Sequence, residues 1–172
     1  TVGPVRGSRI EQVKGNDYDL ADLLGDRDLA AALADGQQAT IYLAPGDYHR
    51  VHTPFAAKVQ RVAAIPGTLF PVNPPAVRCI RNLFARNSRH VFDCLLGDGR
   101  RGAVVMVGAF NVGGTSVTAQ PGTTVRAGDE LGRFGFGSTA IAIVARGGPE
   151  FAALAPEARV WMGANATATT GQ

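Results

Sequence analysis

Glycine and proline punctuate this chain along its whole length, with 22 and 10 residues respectively among 172. This spacing argues against a bundle of long helices and favours many short strands joined by turns. Hydrophobic residues make up 45% of the chain, enough to bury one core. The most apolar stretch, residues 103–112, is far shorter than the about 20 residues that a membrane-spanning helix requires. The sequence predicts one β-rich α+β domain over residues 1–172, with mostly antiparallel short strands and a few short covering helices.

Short β-branched or apolar runs between glycine, proline and aspartate residues predict the strands. These runs cover residues 40–43, 58–64, 91–96, 103–112, 115–118 and 138–144. Residues 103–110 are apolar at nearly every position, which is typical of a strand covered on both faces. Two short helices are expected to cover the sheet, one capped by Asn16 or Asp17 and one running from Asp28 to Gly36.

Several smaller features are interpreted as structural. Gly97, Gly99 and Gly102 spell G-x-G-x-x-G, but a strand follows them, so Gly97 to Gly99 is predicted to be a hairpin turn. Cys79 and Cys94 form no Cys-x-x-Cys pair, which predicts two reduced, buried thiols. The chain has no initial methionine and is expected to begin inside a longer gene product. Residues 156–172 are small and polar and are predicted to be loosely held.

Positive charge is concentrated in the middle of the chain. The formal net charge is +3, yet residues 48–101 contain nine basic and only two acidic residues. Such a segment suits nucleic acid, an anionic membrane surface or a phosphorylated substrate, and it is equally typical of a solvated arginine-rich face. Charge alone does not choose among these.

Two segments offer chemistry. In a functional interpretation, His49 and His52 present two imidazoles beside a turn. In a structural interpretation, one of them lies in the core and the other on the surface. No metal is expected, because positions i and i+3 of a strand point to opposite faces. The second segment is Gly135 to Thr139, which is either only a bulge or strand start, or a reactive turn. In the reactive interpretation Gly137 leaves its carbonyl open to attack and tolerates a strained backbone, while Ser138 supplies the hydroxyl.

Five blocks, taken in order, resemble the phosphatidylserine decarboxylase family. They are YLAPGDYHRVHTP at residues 42–54, PGTLFPVN at 66–73, NLFARN at 82–87, VGA at 107–109 and GRFGFGST at 132–139. The resemblance covers about residues 13–144, and its DYHRVH and GST blocks are the most specific.

The resemblance implies a pyruvoyl-dependent lyase made as a self-cleaving precursor. The cut between Gly137 and Ser138 would give a β chain, residues 1–137, and an α chain, residues 138–172, with Ser138 converted to the pyruvoyl cofactor. By resemblance, His52 is the base in self-cleavage and His49 serves the decarboxylation step. The family also uses an aspartate in an upstream Ala-Asp-Gly segment, which has no match here. Either it lies outside this sequence or the chain processes itself inefficiently.

The implied partners are phosphatidylserine, converted to phosphatidylethanolamine and CO2, and an anionic membrane surface, with no nucleic acid. The expected location is peripheral, on the cytoplasmic side of a membrane, and a homo-oligomer is compatible with the sequence. Two sets of side chains could meet the lipid. The cationic set is Arg50, Arg78, Arg81, Arg86 and Arg89, and the apolar set is Leu69, Phe70, Leu83 and Phe84, each of which is equally suited to the core.

Two alternatives stay open at this point. One is a pyruvoyl-type decarboxylase of another serine lipid or of an amino acid. The other is a non-catalytic β domain that binds an anionic surface, in which the Gly137–Ser138 turn is only structural. An uncut chain would be the signature of the second.

Overall fold

The structure, a computed structural model, describes residues 1–13, 16–110, 114–155 and 158–164. Within these ranges the chain forms short strands with a few short helices among them. The strands are β1 (Val2–Pro4), β2 (Arg9–Val13), β3 (Asn16–Asp19), β4 (Gln37–Leu43), β5 (Arg50–His52), β6 (Ala57–Ile65), β7 (Arg89–Leu96), β8 (Arg101–Val107), β9 (Thr115–Val117), β10 (Thr124–Val125), β11 (Glu130–Phe134) and β12 (Ser138–Val144). The helices are α1 (Leu20–Leu24), α2 (Arg27–Leu33), α3 (Pro74–Cys79) and α4 (Leu83–Arg86).

Seven of the strands form one antiparallel sheet in the order β1-β4-β12-β8-β7-β6-β10. β12 is an interior strand of this sheet, with Ser138 opposite Leu43 of β4 and Thr139 opposite Val107 of β8. A three-stranded sheet, β5-β11-β9, and the β2-β3 pair accompany it. The predicted β-rich α+β class is confirmed.

The central strands bury side chains on both faces of the large sheet. Ala103, Val105 and Val107 of β8 pack in one cluster with the helices, whereas Val104 and Met106 pack in a second cluster with the three-stranded sheet. This alternation follows from the two-residue period of a strand. Coverage on both faces is confirmed for β8, which ends at Val107. The last two residues of the predicted strand, 111 and 112, lie outside the described residues.

Two short helices precede β4 and pack over the sheet, but they begin elsewhere than predicted. α1 begins after Asp19 and α2 after Asp26, and each carboxylate accepts a backbone N–H of the first turn, at 2.7 and 2.9 Å. The predicted caps Asn16, Asp17 and Asp28 are wrong. The first two lie in β3, where pairing with β2 replaces the helical turn.

The turn at residues 97–99 and the two cysteines can also be compared with their predictions. Gly97 to Gly99 forms the turn between β7 and β8, as predicted, and Gly99 has a φ of 84°. Cys94 is buried, and burial together with the Asp93 charge raises the pKa of its thiol to about 12. Cys79 is exposed, so the prediction of a buried thiol is wrong there, because it lies on the outer side of α3. No helix in the described ranges is long and apolar enough to cross a membrane.

Candidate functional site

Ser138 opens β12 at the end of the large sheet where the 135–137 turn joins it. Its side chain is fully buried, and its Oγ has no hydrogen-bond partner among the described residues. Burying a hydroxyl without a partner costs about 1–3 kcal/mol. The fold therefore holds a desolvated hydroxyl at a strand start, where it is free to interact with a reacting group.

The direction of this hydroxyl follows from strand alternation. Ser138 lies on the same face of β12 as Ala140 and Ala142, which pack against the three-stranded sheet. Thr139 points to the opposite, helical face, and its Oγ1 is also buried without a partner in the described structure. The two neighbouring hydroxyls thus face different layers. Only the Ser138 hydroxyl faces the layer that contains β5, the strand that follows His49 and includes His52.

Gly137 is needed where β4 ends and β12 begins. A Cβ at this position would lie 3.2 Å from the Leu43 carbonyl oxygen and 3.4 Å from Cδ of Pro45. Gly137 does not have a positive φ, so the expected backbone strain is not found. The absent side chain instead allows two chain segments to approach closely beside the Ser138 hydroxyl.

His49 lies at the same end of the sheet. Its ring is 6.3 Å from that of Phe136, centroid to centroid, and its carbonyl accepts the Phe134 N–H at 2.9 Å. Nε2 lies 3.1 Å from the Pro45 carbonyl, which makes Nε2 the protonated nitrogen. Nδ1 is buried and unpartnered within the described residues, so it presents an uncommitted lone pair near the Gly137–Ser138 turn.

His52 has both ring nitrogens engaged. Nδ1 lies 2.7 Å from the Gly128 carbonyl and therefore carries the proton, and Nε2 lies 2.9 Å from the Tyr48 hydroxyl and accepts from it. On β5, Val51 is buried while Arg50 and His52 alternate with it toward the outer face. The structure thus brings the His49 ring beside Phe136 of the turn before Ser138, whereas His52 lies on the outer face of β5, held by its two hydrogen bonds.

An ion pair lies next to these histidines. The Arg50 guanidinium donates to Glu130 at 2.5 Å, and this bond holds the pKa of the Glu130 carboxyl below its ordinary value. Glu130 is also opposite His52 in the β5-β11 register. Since Arg50 has a carboxylate partner, it is less suited to binding a phosphate group than the sequence analysis expected.

Three of the side chains considered as lipid contacts are buried in the structure. Arg89 is buried and donates to the backbone carbonyls of Asp22, Leu23 and Asn87, at 2.6–2.8 Å, so it cannot meet a headgroup. Leu83 and Phe84 are also buried, because α4 packs them into the helical core. Leu69 remains exposed and Phe70 is half-buried.

Sequence reasoning did not identify Tyr48 or Gly128 as neighbours of His52. Tyr48 lies in the recognised DYHRVH block, which was the available signal, but its ring contact depends on the local turn. Gly128 precedes β11, and only the β5-β11 pairing brings its carbonyl to His52. No local pattern announces such a contact.

These residues define a class of protein: a β-rich domain that presents a buried serine hydroxyl, the peptide bond before it and an imidazole at one end of its central sheet. That set supplies a nucleophile, an acyl group and a base. A family model described as phosphatidylserine decarboxylase matches residues 1–168. The chain belongs to the phosphatidylserine decarboxylase family.

Curated relatives carry the name phosphatidylserine decarboxylase proenzyme. That of Acidovorax ebreus (strain TPSY) is 41% identical over 171 residues, covering 87% of this chain and 59% of the relative. That of Alcanivorax borkumensis is 41% identical over 172 residues, with 88% and 58% covered. That of Anaeromyxobacter sp. (strain K) is 43% identical over 183 residues, with 94% and 64% covered. The chain spans about three fifths of the length of these relatives.

Proposed function

We propose that this protein is a carboxy-lyase that converts phosphatidylserine to phosphatidylethanolamine and CO2, using a pyruvoyl group made from its own Ser138. The observation that carries the proposal is the buried, unpartnered Ser138 hydroxyl directly after Gly137. Family membership and the word proenzyme in the relatives' names support it. The residues fit this cofactor, since the hydroxyl to be converted is desolvated and lacks a competing hydrogen bond.

The self-cleavage step uses groups of this chain. A base takes the Ser138 Oγ proton, Oγ attacks the Gly137 carbonyl carbon, and the peptide C–N bond breaks as its nitrogen gains a proton, leaving an ester. Removal of the Ser138 Cα proton then breaks the Cβ–Oγ bond and releases Gly137 as a carboxylate. Water replaces the nitrogen of the resulting dehydroalanine, and ammonia leaves. The new chain begins with the pyruvoyl group.

The two histidines receive different roles by resemblance: His52 as the base for self-cleavage and His49 as the proton donor in decarboxylation. An imidazole can both take up and return a proton, which suits both tasks. The His52 proton is held on Nδ1 by the Gly128 carbonyl, which leaves Nε2 as the basic nitrogen. For Nε2 to accept the Ser138 proton, its bond to the Tyr48 hydroxyl must first be exchanged. The unpartnered Nδ1 of His49 supports a role beside the new chain terminus.

Formed at Ser138, the pyruvoyl carbonyl supplies the electron sink that loss of CO2 requires. The chain's own residues keep this position dry at the start of β12, and the His49 ring lies against Phe136, two residues before it. The α and β chains are proposed to stay associated, because β12 is paired on both sides to strands of the β chain. We place the enzyme peripherally on the cytoplasmic side of a membrane.

The test of self-cleavage is the intact mass of the purified chain under denaturing conditions. We expect two fragments split after Gly137, with residues 138–172 lacking the serine amine and reacting with a hydrazine. Ser138→Ala should stay whole, whereas Thr139→Val should still be cut, because the Thr139 hydroxyl faces the other layer. His52→Ala should stay whole and His49→Ala should be cut but inactive; the reverse pattern would exchange their roles.

The upstream aspartate of the family requires a second arm of the same experiment. The Thr1 amine donates to the Thr40 carbonyl at 2.8 Å, so residues joined before Thr1 in the direction of β1 run along β4 toward Leu43, the partner of Ser138. Adding the family's Ala-Asp-Gly segment there should restore any cleavage that residues 1–172 lack. A chain uncut in both forms would contradict the proposal and favour a non-catalytic binding domain.

Once cleavage is shown, headgroup assays identify the substrate. The product of phosphatidylserine should be phosphatidylethanolamine, with equimolar CO2. Turnover of another serine lipid or of a free amino acid in its place would keep the pyruvoyl chemistry and replace the substrate.

A further inference from the structure

Three of the exposed large apolar side chains lie at the Ser138 end of the sheet. Leu69, Phe110 and Phe136 are 49%, 64% and 41% exposed. Phe136 lies two residues before β12, and Phe110 lies three residues after β8, the strand paired with β12. We call these three residues the apolar rim. Leaving large apolar side chains in water at one end of a domain is typical of a surface that meets an apolar partner.

Leu69 is held in the rim by a buried asparagine. The Asn87 side chain accepts the Phe70 N–H at 3.0 Å, and it donates to the carbonyls of Phe70 and Gly108 at 2.8 and 2.9 Å. These bonds tie the loop that carries Leu69 to the end of β8. Cδ2 of Leu69 accordingly lies 3.5 Å from the Cβ position of Gly108. Leu69 is therefore held at a fixed place beside the end of β8.

The rim borders the candidate site. Phe136 contacts His49, and Gly108 follows the Val107 that pairs with Thr139. A ligand that covers the rim would bring its polar part to the Gly137–Ser138 turn. This arrangement suits a molecule or surface with an apolar part and a polar headgroup.

The charge beside the rim is positive. Residues 66–87 contain Arg78, Arg81 and Arg86 and no aspartate or glutamate. All three arginines are exposed, and the Arg86 guanidinium lies over the Phe70 ring, 4.8 Å from its centroid. An exposed arginine over Phe70, next to Leu69 of the rim, matches the anionic headgroups that lie above the acyl boundary of a bilayer.

We propose that the apolar rim inserts into the surface of an anionic bilayer, with Arg86 at headgroup level, and that it sets the Ser138 end against the membrane. This rests on the proposed function only for its biological purpose, since binding of vesicles is measured without catalysis. The rim replaces Leu83 and Phe84 as the lipid-facing group, because those two are core residues.

The test is sedimentation of the full chain with vesicles of phosphatidylcholine containing phosphatidylglycerol, which is anionic and is not the proposed substrate. We expect Leu69→Asp and Phe110→Asp each to lower the vesicle partition coefficient roughly tenfold, because an apolar side chain that leaves water is replaced by a charge. Leu154→Asp is the matched control, since Leu154 is similarly exposed, at 43%, and follows Phe151, whose N–H bonds to Gln37 at the opposite end of β4. Arg86→Gln should lower binding only to the anionic vesicles.

The outcomes separate this inference from the proposed function. Intact mass reports on the Gly137–Ser138 turn without any ligand, and self-cleavage should be retained in Leu69→Asp and Phe110→Asp. Equal vesicle binding by the rim variants and the Leu154 control would leave the proposed enzymatic function unaffected. It would contradict the membrane-binding role of the rim. Loss of self-association in the rim variants, with vesicle binding unchanged, would also overturn it and assign the surface to a second copy of the chain.

Discussion

The Tyr48 hydroxyl lies 2.9 Å from Nε2 of His52, and the two rings stack with their centroids 5.7 Å apart. The Gly128 carbonyl fixes the proton on Nδ1, so Tyr48 donates to the lone pair that a general base would use. Tyr48 thereby orients the His52 ring and at the same time occupies its basic nitrogen.

We therefore expect Tyr48→Phe to accelerate self-cleavage roughly threefold to tenfold, because a hydrogen bond worth about 1 kcal/mol no longer has to be exchanged while the ring stack is kept. The rate is followed by intact mass after refolding. Tyr42→Phe is the control, since Tyr42 is exposed on β4. Slower cleavage in the Tyr48 variant would instead place the phenol in the proton path.

Gly137→Ala tests the close approach at the proposed cut. The added methyl group would lie 3.2 Å from the Leu43 carbonyl oxygen, so β12 or the end of β4 must shift. We expect cleavage to slow at least about tenfold, since small displacements of reacting groups are costly. Gly46→Ala is matched, because a Cβ there meets nothing within 4 Å. Equal rates in the two variants would show that the approach is not needed.

Arg89→Met should destabilise the fold by about 2–4 kcal/mol, because three buried backbone carbonyls lose their donor. Two of these carbonyls end α1, so the helix next to the sheet loses its C-terminal partners. Urea unfolding measures the change. Arg81→Met, at an exposed position, should stay within about 0.5 kcal/mol of the parent. A similar small change at Arg89 would mean that water replaces the guanidinium.

His90 should make stability depend on pH. It is half-buried between Ala64 and Met106 on the neighbouring strands, and desolvation lowers its pKa below the ordinary value of 6.5. The unfolded chain then binds the proton at higher pH than the folded one. Stability is therefore full above about pH 6.5 and falls as the pH is lowered through that value. His90→Gln should flatten this part of the profile in urea titrations, and an unchanged slope would contradict the assignment.

The sequence predicted best where a segment is buried through its own side chains. Both ends of the strand at residues 138–144 are predicted correctly, because its apolar run is bounded by a turn and is buried on both faces. The paired-face pattern of β8 and the β7-β8 turn were also predictable from residues alone.

Predictions failed where distant pairing decides the conformation. The segment Asn16–Asp19 has helical spacing, yet its pairing with β2 makes it a strand. The short strands β5, β10 and β11 have few apolar residues, and it is pairing with neighbouring strands that makes them extended. Arginine is usually a surface residue, but Arg89 donates to buried backbone carbonyls. This role depends on the contact between α1 and β7, which the sequence does not reveal.

The interior position of β12, between β4 and β8, has a consequence for how the protein assembles. While the backbone is continuous, pairing of β12 with β4 and β8 is an intramolecular step. Its entropic cost is then only that of closing the connecting loops. After a cut at Gly137 the same strand would belong to a separate small chain, and its recovery after unfolding would depend on protein concentration. A protein cut in this way would assemble once, as a precursor, and would thereafter persist only for as long as its unfolding is slow.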